Sequence, residues 1–297
     1  MLDAESDLVN IIASVQMRSV RLQPPHGSPL LHTVRKDGGG PCCVLIHGFA
    51  DGGFVWDMLV EALAPHYSLL VVDLRGHGHS GWAPDGRYDI EAYVADLEHI
   101  IDHSGLQDLI LIGHSLGGQV ATHLGARYPQ RLRASVLVDF APLLNSDGMN
   151  EAARRIKESL RLYTSVAEYA EWMGETRPLT DPAVLQRIAA RALQAVAGGF
   201  RPRLDPELLE RDAPFDTAEQ RRLWQLLSQQ TCPTLVVRGA GSAMLSRTTA
   251  QTLASTLPDG TLATVKAAGH AVMLDNPTGL REVITGFLLR RVLKCAS

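Results

Sequence analysis

The sequence predicts an α/β fold: a mostly parallel sheet with helices on both faces and a helical segment inserted near its middle. Three observations carry this prediction. Apolar strand segments alternate with helical segments along the chain. The strand segments are apolar at successive positions, as strands buried on both faces are. The alternation stops after Asp139 and resumes only near Thr234.

The elements of the body follow from polarity and turn residues. The first two strands alternate in polarity across a Pro/Gly turn, and the later ones are continuously apolar. The predicted strands are 19–23, 30–35, 41–47, 68–73, 108–112, 134–139, 234–239 and 261–265. One predicted helix ends at Leu63. The others cover 90–103, 118–127, 246–255 and 277–292. Each helix except the last lies between consecutive strands, which is typical of a parallel arrangement.

The interrupting segment contains amphipathic helical sequence, with prolines at positions 178, 182, 202, 206 and 214 and no buried strand. It therefore predicts a helical cap over residues 143–230. The body would then consist of residues 1–142 and 231–297.

Composition excludes several classes of function. A formal charge of −4 disfavours nucleic acid or an anionic membrane as the main partner. We find no run of about 18 apolar residues, so no membrane span is expected. The start of the chain lacks the basic residues of a secretory signal. The four cysteines show no C-x-x-C spacing and are interpreted as reduced thiols. We therefore expect a cytoplasmic protein.

Residues 113–117 read Gly-His-Ser-Leu-Gly and match the G-x-S-x-G pattern. The pattern alone is common, but here it lies between a predicted strand and a predicted helix. That setting predicts a nucleophile elbow, a sharp turn that exposes the hydroxyl of Ser115. A serine hydroxyl is a weak nucleophile and needs a base.

His270 is the candidate base, because it follows the last predicted strand, and the carboxyl ends of parallel strands meet at one crevice. His47 and His114 are expected near the same crevice, as substrate contacts or as structural loop histidines. The amides of Phe49 and Leu116 are candidate oxyanion donors, although a plain tight turn explains Gly48 equally well.

Two further patterns are rejected. Residues 76–81 match G-x-G-x-x-G, but a loop rather than a helix follows, so we predict no dinucleotide site. His77 and His79 lack a carboxylate or cysteine at metal-ligand spacing. We therefore expect neither a metal nor an organic cofactor.

These motifs together resemble the α/β-hydrolase superfamily, in its branch of capped esterases, C–C hydrolases, lactonases and perhydrolases. The resemblance rests on residues 45–49, 73–80, 113–118, 137–139, 237–239 and 268–270. It implies an eight-stranded, mostly parallel sheet with a helical cap after the sixth strand. It also implies that Ser115 is the nucleophile, His270 the base, and the Phe49 and Leu116 amides the oxyanion donors.

The sequence departs from the family at the acid. Relatives carry an aspartate in the loop after the seventh strand, where this chain has Ala243. The acid could be relocated to Asp139, which would otherwise be a structural residue. Alternatively no acid is used, which lowers the rate by something on the order of 10⁴. An introduced Asp-to-Ala change is the third explanation.

The expected function is hydrolysis of an ester, thioester or similar acyl bond through an acyl-enzyme. The substrate would be a small to medium molecule, mostly apolar, in a pocket that includes Trp172 and Met173 of the cap. Mixed charges in the cap predict no strong anion site. The missing acid keeps two alternatives open: a non-hydrolytic lyase, cyclase or cofactor-free oxygenase, and an inactive binding protein.

Overall fold

The computed structural model describes residues 17–24, 28–143, 146–209 and 217–292. Its main sheet has eight strands in the order β1-β2-β4-β3-β5-β6-β9-β10. These strands are β1 (Arg18–Leu22), β2 (Leu31–Lys36), β3 (Cys42–Ile46), β4 (Ser68–Asp73), β5 (Leu109–His114), β6 (Leu132–Val138), β9 (Thr234–Gly239) and β10 (Gly260–Val265). Only β2 pairs antiparallel with its neighbours β1 and β4, and the remaining pairs are parallel. The predicted mostly parallel sheet is confirmed.

Helices cover both faces of this sheet. Those of the body are α1 (Asp57–Leu63), α2 (Ile90–His103), α3 (Leu116–Arg127), α8 (Arg247–Thr256), α9 (Val272–Asp275) and α10 (Pro277–Arg291). Two apolar clusters form, one on each face. Adjacent residues of β3 point into different clusters, Cys43 into one and Cys42 into the other. Burial on both sides is why the strand segments are continuously apolar.

The segment inserted between β6 and β9 is mostly helical. It contains α4 (Ser146–Ser159), α5 (Val166–Thr176), α6 (Pro182–Ala192) and α7 (Thr217–Ser228). It also contains a two-stranded hairpin of β7 (Leu193–Val196) and β8 (Gly199–Pro202), which the sequence analysis did not predict. The hairpin is short and largely exposed, so it lacks the apolar run that identifies a buried strand, and the helical pattern of α6 continues straight into it.

The carboxyl ends of the parallel strands bring six loops to one edge of the sheet. These loops follow β3, β4, β5, β6, β9 and β10, and they carry nearly all the body residues singled out by the sequence. Among the described residues, the structure contains no helix with the length and apolarity needed to cross a membrane.

Candidate active site

Ser115 occupies a strained turn between β5 and α3. Its backbone has φ 49° and ψ −114°, a region that residues other than glycine rarely adopt. Two glycines make the turn possible. A Cβ at Gly113 would lie 2.2 Å from the carbonyl oxygen of Gly117, and a Cβ at Gly117 would lie 2.2 Å from that of Ile46. The geometry is that of a nucleophile elbow.

His270 lies in the loop after β10 and pairs with Asp139. Its Nδ1–H donates to Oδ2 of Asp139 at 2.8 Å. The carboxylate is completely buried, whereas 27% of the imidazole side chain is exposed. The arrangement fixes the tautomer of His270 with Nδ1 protonated, which leaves Nε2 free to accept a proton.

Asp139 receives two further hydrogen bonds. The Gly239 amide donates to Oδ1 at 3.0 Å, and the Ser242 hydroxyl donates to Oδ2 at 2.5 Å. Three donors therefore fix the position of this buried carboxylate. Asp139 follows β6 directly and has φ 46°. Ala243, at the position where the family resemblance places the acid, is exposed. Sequence reasoning missed Ser242, although its position beside Ala243 marked that loop as unusual.

The loop after β3 runs alongside the elbow. A Cβ built on Gly48 would lie 2.5 Å from Nδ1 of His114 and 3.4 Å from Cβ of Ser115, so a side chain at position 48 would clash with the His114 ring. Neither the Phe49 amide nor the Leu116 amide donates to a backbone carbonyl of the described residues. Both therefore remain available as the oxyanion donors that the sequence predicted.

His47 and His77 support the loops rather than face an open space. Nδ1–H of His47 donates to the Gly48 carbonyl at 2.7 Å, while its Nε2 accepts from the Leu74 amide at 2.9 Å. No nitrogen of His47 is left for a substrate. Burial lowers the pKa of His77 to about 3.

Among the described residues, no group of three or more side chains is arranged to hold a metal ion.

His114 lies directly beneath His270. Nε2–H of His114 donates to the His270 carbonyl at 3.0 Å, and the two rings lie 4.6 Å apart. Burial, followed by the nearby charge of His270, holds the pKa of His114 well below its usual value. His114 is therefore a neutral support for the His270 loop, and its role as a substrate contact stays a prediction.

Trp172 and Met173 lie in α5 of the cap. Met173 is buried and Trp172 is half-buried, and both pack with the apolar cluster that joins the cap to the body. Trp172 also stacks on Tyr169, with ring centroids 5.7 Å apart. Their assignment to the substrate pocket stays a prediction.

A cap segment reaches the His270 loop through Asp275, which sequence reasoning also missed. The Thr180 hydroxyl donates to Oδ1 of Asp275 at 2.5 Å, and the Gly269 amide donates to Oδ2 at 2.8 Å. This carboxylate therefore joins the cap to the residue before His270. Nothing in the local sequence signals a contact between positions so far apart.

Comparison with known proteins agrees with this geometry. Residues 43–277 match the family model described as the alpha/beta hydrolase fold. The chain belongs to the α/β-hydrolase family. It is 28% identical over 257 residues to 2-(acetamidomethylene)succinate hydrolase of Mesorhizobium japonicum, covering 86% of this chain and 90% of the relative. It is 34% identical over 170 residues to the lipase LipV of Mycobacterium tuberculosis, covering 57% of this chain and 64% of the lipase.

A crystal structure of E-2-(acetamidomethylene)succinate hydrolase superposes with a TM-score of 0.81 at 25% identity, covering 92% of this chain and 99% of the other. The resemblance identified from the motifs is confirmed. With hydrolases among its relatives and the catalytic motifs of the fold present, this α/β-hydrolase is a hydrolytic enzyme.

Proposed function

We propose that this α/β-hydrolase cleaves an ester, thioester or related acyl bond of a small to medium substrate through a covalent acyl-enzyme. The hydrogen bond of 2.8 Å between His270 and Asp139, on the loops that flank the elbow of Ser115, is the observation that carries the proposal. A carboxylate on Nδ1 is the support that a serine–histidine pair requires.

The proposed reaction has two halves. His270 Nε2 removes the proton of the Ser115 hydroxyl as the oxygen attacks the substrate carbonyl, and the amides of Phe49 and Leu116 stabilise the resulting oxyanion. The intermediate collapses, and His270 returns the proton to the leaving alcohol or thiol. A water molecule, deprotonated by the same imidazole, then attacks the acyl-enzyme and releases the acid and free Ser115.

Asp139 is the proposed orienting acid, in place of a carboxylate at position 243. Its three hydrogen-bond donors hold the carboxylate in place, and a carboxylate on Nδ1 stabilises the imidazolium that forms during proton transfer. Of the three explanations for Ala243, relocation therefore has direct geometric support. The other two require that the Asp139 contact have no role.

The relatives suggest the range of substrates. One acts on 2-(acetamidomethylene)succinate and another is a lipase, so hydrolytic enzymes with different substrates share this scaffold. We propose a small-molecule substrate for this chain as well, held between the elbow and the apolar face of α5 that carries Trp172.

A fluorophosphonate probe and p-nitrophenyl esters test the proposal. Ser115 should be labelled in the wild type, and Ser115→Ala and His270→Ala should abolish labelling and turnover. Asp139→Asn should lower kcat by about 10⁴-fold, because the imidazole loses its tautomer control. Asp147→Asn, an exposed acid of the cap, is the matched control and should leave kcat unchanged.

Folded wild-type protein that neither labels nor hydrolyses any acyl ester would point instead to non-hydrolytic chemistry. Full activity of Asp139→Asn, together with a strong gain from Ala243→Asp, would overturn the assignment of the acid. Circular dichroism of each variant separates lost catalysis from lost folding.

A further inference from the structure

One cation of the cap lies at the crevice with its hydrogen-bonding capacity unused. Arg177 follows the last residue of α5, and 30% of its side chain is exposed. Its Nη2 lies 3.6 Å from Oδ1 of Asp51, a buried residue in the loop that also carries Phe49. Oδ2 of Asp51 in turn lies 3.7 Å from Nδ1 of His114, the neighbour of Ser115. Arg177 is thereby connected to the elbow through two short steps.

Neither contact is a hydrogen bond, since both exceed the 3.2 Å upper range for N–H donors. Nη1 of Arg177 is buried and has no acceptor among the residues that the structure describes. A buried donor without an acceptor costs free energy, and a guanidinium has five donors to satisfy. The buried guanidinium group of Arg75 differs in this respect, since it forms two hydrogen bonds to Asp96 and a third to the Arg87 carbonyl.

The charge of Arg177 is felt by His114, the neighbour of Ser115. It contributes to the low pKa of His114, after the larger effects of burial and of His270. His114 is neutral, so the carboxylate of Asp51 is left to pair with Arg177. The two groups are 3.6 Å apart and form no hydrogen bond. Arg177 is therefore a cation whose one contacting carboxylate, among the described residues, lies beyond hydrogen-bond distance.

The position of Arg177 is fixed relative to His270. Its amide donates to the Met173 carbonyl, and its carbonyl accepts from the Thr180 amide. The Thr180 side chain is held by Asp275, which also binds the amide of Gly269. The backbone of Arg177 is thus linked to the His270 loop by a short series of hydrogen bonds.

We propose that Arg177 binds a carboxylate of the substrate, so that the preferred substrate is an acyl compound carrying a second, anionic end. The inference rests on the proposed function and revises the expectation of a mostly apolar, neutral substrate without a strong anion site. A guanidinium with open donors binds a planar carboxylate in a bidentate manner. A doubly charged phosphate fits less well, because Asp51 already places a negative charge beside the cation.

Matched esters test the proposal in the active enzyme. The p-nitrophenyl monoester of glutaric acid carries a carboxylate, and p-nitrophenyl valerate is its neutral counterpart of equal chain length. We expect the wild type to prefer the anionic ester. Arg177→Gln should reduce the ratio of the two kcat/KM values by about 10- to 100-fold, the range for a hydrogen bond to a charged group. Arg177→Lys should restore part of the ratio, and Arg201→Gln, an exposed cap arginine, should leave it unchanged.

Calorimetry gives an answer that does not depend on turnover. Glutarate titrated into Ser115→Ala should bind, and adding Arg177→Gln to that variant should remove the binding. An unchanged ester ratio in Arg177→Gln, or equal glutarate binding with and without Arg177, would overturn this inference alone. Absence of hydrolysis of both esters by the wild type would count against the proposed function instead, while the titration would still decide whether Arg177 binds a carboxylate.

Discussion

Four residues other than glycine have positive φ in the described part of the chain, and all four lie in loops at the crevice. They are Ala50 after β3, Ser115 after β5, Asp139 after β6 and Ala267 after β10. Such conformations cost of order 1–3 kcal/mol each and persist only where the surroundings enforce them. The sequence identified Ser115 and Asp139 as candidate catalytic residues. It did not predict the positive φ of Asp139, because the apolar pattern of the strand continues up to that residue.

Gly117 tests how strictly the elbow depends on close backbone contact. In Gly117→Ala the new Cβ would collide with the Ile46 carbonyl at 2.2 Å. Because the contact is with backbone, it cannot relax by rotation of a side chain, and we expect a loss of about 3 kcal/mol of stability. Urea unfolding of this variant and of the wild type measures the loss in the free energy of unfolding.

Gly39→Ala is the control, since no atom lies within 4 Å of its added Cβ and its φ is not positive. Equal stability of the two variants would contradict the described packing of the elbow.

At the scale of elements, the sequence located most strands and helices of the body, because buried strands and turn residues leave clear local signals. Cys42–Ile46 and Thr234–Gly239 are examples. The way the cap is fastened to the body left no such signal. Arg191 of α6 pairs with Asp57 of α1 across a separation of 134 residues, and each side chain is about 10% exposed or less. Contacts of this kind depend on the fold being complete.

The Arg191–Asp57 pair should be strongly coupled. Burial raises the pKa of Asp57, and Arg191 opposes that effect. Arg191→Met removes the partner and leaves an uncompensated buried acid, so we expect a loss of about 3–5 kcal/mol in the free energy of unfolding.

The double variant Arg191→Met with Asp57→Leu should recover most of that loss, since two apolar groups can pack where the ion pair lay. Chemical denaturation of the two single variants and the double variant gives the coupling energy. Additive losses would contradict a direct interaction between cap and body.

For the whole molecule, histidines are concentrated in the interior. Burial lowers the pKa of His47, of His77 to about 3, of His79 to about 4, and of His114. The sequence placed His47 and His114 near one crevice, but it could not tell which histidines would be buried, because burial depends on how the loops and the cap pack over them. All four are held neutral in the folded protein.

Stability should therefore fall on acidification. An unfolded histidine binds its proton as the pH drops through about 6.5, whereas the folded ones resist until lower pH. The unfolded state thus binds more protons between about pH 6.5 and 4, and each extra proton costs about 1.4 kcal/mol per pH unit. The contribution is fully present above pH 6.5 and is lost below it.

Urea unfolding at several pH values measures this slope. His77→Phe keeps the ring contacts with His47 and Phe49 and should reduce the slope by one proton. His66→Phe, at an exposed position, should retain it. A slope that His77→Phe leaves unchanged would contradict a buried neutral His77.

Asp139 lies where the chain leaves the sheet and enters the inserted segment. Asp139, which binds the imidazole of His270, is thus also the residue from which the cap extends. A carboxylate after β9 would instead follow the cap in the chain. A displacement of the cap would therefore reach His270 by two routes, through the backbone at Asp139 and through the hydrogen bonds from Thr180 and Asp275 to Gly269. We expect the position of the imidazole to depend on how the cap packs against the body.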